Sequence, residues 1–163
     1  MKRRFAAACL LTLWLAAGIF AAAGCAEEPI VGAIDDDATV AVIRLEAQEN
    51  GISGVVYRRI NRFSAFLAAS DMPVLVVFYS PLAPINALII PRLEQMADDY
   101  REQLQIVWID ASAESALSAS FSASTLPQFT MVVEGSLKRS LVGYDDQGAV
   151  KLQNLIEPYL SHP

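Results

Sequence analysis

Six consecutive apolar or aromatic residues, Val74-Leu75-Val76-Val77-Phe78-Tyr79, constrain this chain more than any other feature. A strand with one solvated face alternates apolar and polar side chains, whereas a run that is apolar throughout needs cover on both faces. The run therefore predicts a central strand of a sheet flanked by other elements on both sides. A loop carrying Pro81 and Pro84 follows it and leads into a helix from about Ile85 to Tyr100. Ile89, Leu93, Met96, Ala97 and Tyr100 recur there at spacings of three and four, which gives the helix one apolar face.

The rest of the chain alternates in the same way. Gly54 to Arg59 reads as a strand, and Asn61 as the cap of a short helix with Phe63, Phe66 and Leu67 on one face. Gln105 to Ile109 is a strand and Ser115 to Phe121 a short helix. Phe129 to Val133 and Leu137 to Val142 form a hairpin turning at Glu134-Gly135-Ser136. Val150, Leu152, Leu155, Ile156 and Leu160 line a last helix. This order predicts one α/β domain, a central mixed β-sheet with helices on both faces. Upstream, Ala26 to Ala38 is small and acidic and reads as a tether. Its Asp35-Asp36-Asp37 is expected to be a solvated charge run rather than a calcium site. Thr39 to Leu45 reads as either an extra strand or a short helix, and Glu49-Asn50-Gly51 as a turn.

The first residues have a different character. Lys2, Arg3 and Arg4 precede an almost wholly apolar stretch from Phe5 to Ala23, and Ala22-Ala23-Gly24-Cys25 follows. A basic start, an apolar core and small residues before a cut mark a secretory signal, which takes no part in the fold. Ala22-Ala23-Gly24-Cys25 resembles a bacterial lipobox, although a larger aliphatic residue is usual where Ala22 sits. The resemblance implies a signal peptide over 1–24, acylation of Cys25, and a lipid anchor and tether over 25–53. The protein would then be held in the cell envelope, outside the cytoplasm. A plain cleaved signal, or an uncut apolar anchor, would also place the domain outside the cytoplasm. Removing Lys2, Arg3 and Arg4 leaves nine bases against 18 acids, a formal net charge of −9. That balance argues against nucleic acid as a partner.

Cysteine and histidine usage excludes further chemistry. Cys9 lies in the leader and Cys25 would be a thioether, so the mature domain has no free thiol. The one histidine, His162, lies next to the C-terminus, which disfavours a zinc or copper site. No cofactor is expected.

From Gly54 to Leu160 the element order resembles the thioredoxin family, and residues 54–163 form the expected domain. Phe78 to Pro91 aligns without a gap on that family's strand, active loop and helix. Tyr79 stands where the family has tryptophan, and Pro91 on its mid-helix proline. Leu126-Pro127 matches the family's cis-proline, Gly135 its hairpin turn, and Gly143 the glycine after its last strand. The departures fall on the chemistry. Where the family has Cys-x-x-Cys this chain has Ala83-Pro84-Ile85-Asn86. Thiol exchange needs a thiolate to attack and a second thiol to resolve the mixed disulfide. The family's buried acid falls on Val77, and its partnering lysine falls within Gln105 to Ile109, which contains none.

Tyr79, Ser80, Asn86, Thr125 and Gln128 gather near the old active loop, but no histidine in reach could act as a base. The expectation is therefore a redox-inactive protein- or peptide-binding or scaffold module, not an enzyme. The alternative is an enzyme of the same superfamily using non-thiol chemistry. Substrates of the family lie as extended segments against the active loop and the cis-proline loop, a strand-like recognition that needs no thiol. Here Leu82, Ala83, Pro84, Ile85, Asn86, Leu126 and Pro127 form the expected face, with an envelope protein or peptide as partner.

Overall fold

The computed structural model describes residues 27–48 and 51–160. The leader, Cys25, the first two residues of the expected turn and His162 lie outside the described residues. Seven strands, β1 (Val31–Ile34), β2 (Val40–Ala47), β3 (Ser53–Ile60), β4 (Val74–Tyr79), β5 (Gln105–Asp110), β6 (Gln128–Val133) and β7 (Ser136–Val142), form one sheet in the order β1-β3-β2-β5-β4-β6-β7. Only β4 and β5 pair in parallel, so the sheet is mixed. Helices α1 (Phe63–Ala69), α2 (Asn86–Asp99), α3 (Ser115–Ser120) and α4 (Gly148–Ile156) cover it, the last running into a 3₁₀ turn at Glu157–Tyr159.

The two faces follow from side-chain alternation along the strands. Leu75, Val77, Ile106, Trp108, Phe129 and Met131 meet Ile89, Leu93 and Met96 of α2 and Leu152, Leu155 and Ile156 of α4. Val74, Val76, Phe78, Val107 and Ile109 meet Phe63 and Phe66 of α1 and Phe121. Helices therefore lie on both faces, and β4 is buried from Val74 to Phe78, as its unbroken apolar run requires. Pro91 sits inside α2 on its exposed side. It removes one helical hydrogen bond, while Ile89, Leu93, Met96 and Ala97 keep the helix seated on the sheet.

The N-terminal segment differs most from the sequence reading. Of residues 39–45, open between strand and helix, all but Thr39 belong to strand β2. That strand is an inner one, lying between β3 and β5, with Val40 to Ile43 buried. The expected tether also contributes β1, the sheet's edge. Asp35 is part of the fold: its carboxylate takes the Arg59 guanidinium (Nε to Oδ2, 2.8 Å) and the Asp37 amide, which hold its pKa below the ordinary range. Among the described residues the folded unit thus begins at Val31, not at Gly54. Asn61 does not cap α1, whose N-cap position is Arg62; its amide donates to the carbonyl of Pro29 at 3.0 Å. The β6–β7 turn is tighter than expected. Glu134 and Gly135 both have positive φ, and Ser136 already pairs with Val133. A two-residue turn of this kind matches the natural strand twist.

Candidate functional site

The site forms where β4 ends. Tyr79 is the last residue of that strand, and its ring stacks on Trp108 of β5, with centroids 3.8 Å apart and planes 19° apart. Its carbonyl accepts the Ala111 amide at 3.0 Å, tying the strand end to the segment after β5. Burial pushes the Tyr79 phenol upward, partly offset by Trp108 and reinforced by the Asp110 carboxylate. The group is therefore neutral at ordinary pH and no base. Behind it, Val77 pairs in register with Trp108 on one side and Phe129 on the other, and all three are buried. The position that the resemblance assigns to a buried acid is thus a valine among aromatic rings.

The loop from Ser80 to Asn86 closes on itself. The Ser80 carbonyl accepts the Ala83 amide at 3.0 Å and the Asn86 side-chain amide at 2.8 Å, which also lies 3.4 Å from the Pro81 carbonyl. The Asn86 amide donates to Ala83 at 3.1 Å, and Ala87 to Pro84 at 3.2 Å, so α2 grows directly out of the loop. Asn86 neither caps the helix nor stays solvated: α2 has no side-chain cap, Asn86 is its first residue, and Oδ1 is buried without a partner. The side chain works as a donor that holds the loop to the helix.

The expected binding residues are brought to one end of the sheet, because Phe78 pairs with Gln128 and so sets Leu126-Pro127 beside Tyr79 and Ser80. The Leu126-Pro127 peptide bond is cis. Their exposure, however, is uneven. Leu82 is 93% exposed and Pro84 is exposed, while Ala83, Ile85, Asn86 and Leu126 are half-buried and Pro127 is buried. Ile85 packs on the α2/α4 core and Leu126 on the α1/α3 core, so each belongs partly to the body of the protein. A charge at Ile85 would therefore disturb the fold as well as the surface. Gln128 turns inward, its amide donating to the Phe121 carbonyl at 3.0 Å and to Thr130 Oγ1 at 3.2 Å.

Two features were not anticipated from sequence. One is the Tyr79–Trp108 stack. The other is the Tyr57 hydroxyl of β3, which donates to Glu94 Oε1 of α2 at 2.8 Å and whose pKa is raised by burial and by that carboxylate. The strand alternation of Ile106 and Trp108 signalled that the indole points to the α2/α4 face, but not which ring it would meet. Among the described residues no group of histidine, cysteine, aspartate and glutamate could hold a metal ion.

The family model described as Thioredoxin matches residues 54–157. The chain belongs to the thioredoxin family. A thioredoxin-like protein of Synechocystis is 30% identical over 100 residues, 61% of this chain and 94% of its own length. Chloroplastic thioredoxin X of Arabidopsis thaliana is 32% identical over 104 residues, covering 62% of this chain but only 56% of that relative. Among solved structures, oxidised mitochondrial thioredoxin 3 of Saccharomyces cerevisiae superposes with a TM-score of 0.53 at 17% identity, over 59% of this chain and 86% of that one. A thioredoxin of Halobacterium salinarum does so with 0.50 at 24% identity, over 59% and 82%. At these identities the structural matches establish the fold alone.

Proposed function

We propose that this protein is a thioredoxin-fold lipoprotein of the cell envelope that binds a protein or peptide and does not exchange disulfides. The relatives' names point to redox work; the residues of this chain point away from it. The observation that carries the reading is the loop itself. Ala83 and Asn86 stand where the family's two cysteines would be, and Asn86 is engaged as a hydrogen-bond donor to Ser80. Neither side chain can form a mixed disulfide. The residues behind the loop, Val77, Trp108 and Phe129, offer no proton-handling group.

What supports a binding role is the retained frame. Leu126-Pro127 lies beside the loop, and exposed Pro84 leaves apolar surface uncovered there. Exposed apolar surface of this kind is common at interaction sites, and an extended segment laid against such a frame pairs through backbone groups. Anchoring through an acylated Cys25 rests on the Ala22-Ala23-Gly24-Cys25 sequence after the basic and apolar leader.

The purified full-length mature protein in an insulin-reduction assay should match the protein-free blank, and reduction above that blank would end the redox-inert reading. Intact mass of the same sample should show an acylated N-terminus at Cys25, and an unmodified N-terminus elsewhere would end the anchoring reading. Cross-linking in solubilised envelope should recover one partner that is lost when Pro84 becomes glutamate.

A further inference from the structure

The described chain enters the sheet without slack. At Glu27, two residues after Cys25, the carboxylate already pairs with Arg62. The Pro29 carbonyl accepts the Asn61 side chain at 3.0 Å, the Ile30 carbonyl accepts the Asn61 amide at 3.0 Å, and Val31 pairs with Ile60. A lipid on Cys25 would therefore lie within about 7 Å of Glu27, the reach of two extended residues.

That entry point is at the same end of the sheet as the loop. β3, β4 and β5 all run in one direction, since β3 and β5 both pair antiparallel with β2 and β5 pairs parallel with β4. The end of β3, where residues 27–30 dock, is thus the end of β4, where Ser80 to Asn86 emerge. Short contacts join the two places. Glu28 lines a cavity with Thr39, Asn61 and Glu114. Thr39 Oγ1 donates to Glu114 at 2.6 Å, the Asp110 amide donates to the Thr39 carbonyl at 2.8 Å, and the Ala111 amide donates to the Tyr79 carbonyl. Four strand spacings separate β1 from β4, about 19 Å across the sheet end.

The loop differs in charge from the segments on either side of it, since β7 ends at this same end and is followed by exposed Asp145 and Asp146. Glu28, Arg59, Asp110 and Glu114 stand on the β1 to β5 side. On the β4 and β6 side there is no charged residue from Tyr79 to Pro91 or from Ser115 to Val133. In a mature chain of formal charge −9, that uncharged region carries the most exposed leucine, Leu82, flanked by exposed Pro81 and Pro84.

We infer that the loop tip is a lipid contact: with Cys25 acylated, the protein rests on the bilayer on the β1-to-β4 part of this sheet end and inserts Leu82 into the headgroup boundary, leaving Leu126-Pro127 on the β6 side for the proposed protein or peptide partner. The inference rests on the proposed acylation of Cys25. The interfacial layer is about 5–8 Å thick on each side of the hydrocarbon, so an anchor with a reach of about 7 Å holds this end against it. Apolar side chains that enter such a boundary bind by burying area there. Acidic neighbours make attraction to anionic headgroups a poor explanation, so the contact should persist at high salt.

The test uses the full acylated chain in phosphatidylethanolamine–phosphatidylglycerol vesicles, with an environment-sensitive fluorophore on Leu82→Cys or, as a control at the opposite end of the sheet, on Ser136→Cys. Vesicle flotation and intact mass report the anchor separately from the probe. The expected result is a blue-shifted emission at position 82 and quenching by iodide several-fold weaker than at 136, in low and high salt alike. A floating protein whose two positions are quenched equally would overturn the lipid contact and leave the anchor standing. Exposure in pure vesicles with shielding only in native envelope would assign the tip to a protein partner instead, which also overturns it. Loss of flotation with no acyl mass would remove the anchor and this inference together.

Discussion

Strands β2 and β4 are equally buried but unequally announced. Val40 to Ile43 and Val74 to Phe78 are both covered on two faces by the same two cores. Yet β4 lies inside the stretch that matches the thioredoxin family, and β2 lies outside it, upstream of residue 54. The difference separates two things that a family match tends to merge: which residues align with relatives, and which residues this chain needs in order to fold. In this molecule the strand beside β5 comes from the unmatched segment.

The strongest way to break this equivalence is to delete β1 and β2. A chain beginning at Ser53 strips the outer edge of β5, uncovering Ile106, Val107 and Trp108. Exposed apolar edges of that kind associate with other chains. It should show no cooperative urea transition. A sigmoidal transition would mean that β3, which runs parallel to β5, has moved into the gap, and that β2 is dispensable.

Point substitutions give a finer comparison. Large-to-small changes in a core cost roughly 2–5 kcal/mol for isoleucine to alanine and 3–5 kcal/mol for phenylalanine to alanine. Ile43→Ala in β2 and Phe78→Ala in β4 should both fall in these ranges, since both side chains are buried. If Ile43→Ala lowered unfolding free energy by less than about 1 kcal/mol, below its expected range, β2 would be an ornament rather than a structural strand.

The position of β2 was hidden in the sequence for a physical reason. A short apolar run such as Val40 to Ile43 fits a buried strand or a buried helix equally well, and its pairing with β5 joins residues far apart in sequence. By contrast, β4 was legible because six apolar residues between loops leave few other readings, and the β6–β7 turn because Gly135 supplies a positive φ. Within the site, the loop's lack of thiols is plain from the residues. The role of Asn86 was not: propensity favours asparagine as a helix cap, but here the carbonyls of Ser80 and Pro81 compete for its amide and win.

That competition can be checked by charge. Asn86→Asp keeps the shape and replaces a donor by an anion facing the Ser80 carbonyl. Losing the donor costs about 1–3 kcal/mol, while a carboxylate at the start of α2 regains about 0.3–1 kcal/mol from the helix dipole. Asn86→Ala loses the same bond but also removes the unpaired buried Oδ1. Aspartate should therefore be the more destabilising of the two in urea titration. The reverse order would mean that the side chain is not a donor in solution.

A smaller effect belongs to the outer end of β2. Glu46 meets Arg58 of β3 in a two-bond pair, at 2.5 Å and 2.7 Å. The guanidinium holds the Glu46 carboxyl below its ordinary range, with burial acting the other way. A carboxyl with a lowered folded pKa stabilises the fold fully above its unfolded pKa and loses that contribution as pH falls through the folded one. Between those two values the wild type should lose stability faster than Glu46→Gln, and the two thermal midpoints should converge in acid. Parallel curves would show that the pair contributes nothing measurable.

The smallest expected effect on stability is at the loop tip, where the contrast with both strands is greatest. Leu82 follows Phe78 by only four residues, yet it is 93% exposed where Phe78 is fully buried. Nothing in the fold depends on its side chain: the loop is held by the Ala83 backbone amide and the Asn86 side-chain amide on the Ser80 carbonyl, and neither bond involves Leu82. Surface substitutions away from such features stay within about 0.5 kcal/mol, so Leu82→Ser should leave the urea midpoint where it was. Ile85→Ser, three residues on and packed against the α2/α4 core, should not. The pair therefore divides the loop into a part that belongs to the protein and a part that is free for something else. If Leu82→Ser shifted stability as much as Ile85→Ser, the tip would be packed in solution, and neither a peptide nor a lipid surface would find it available.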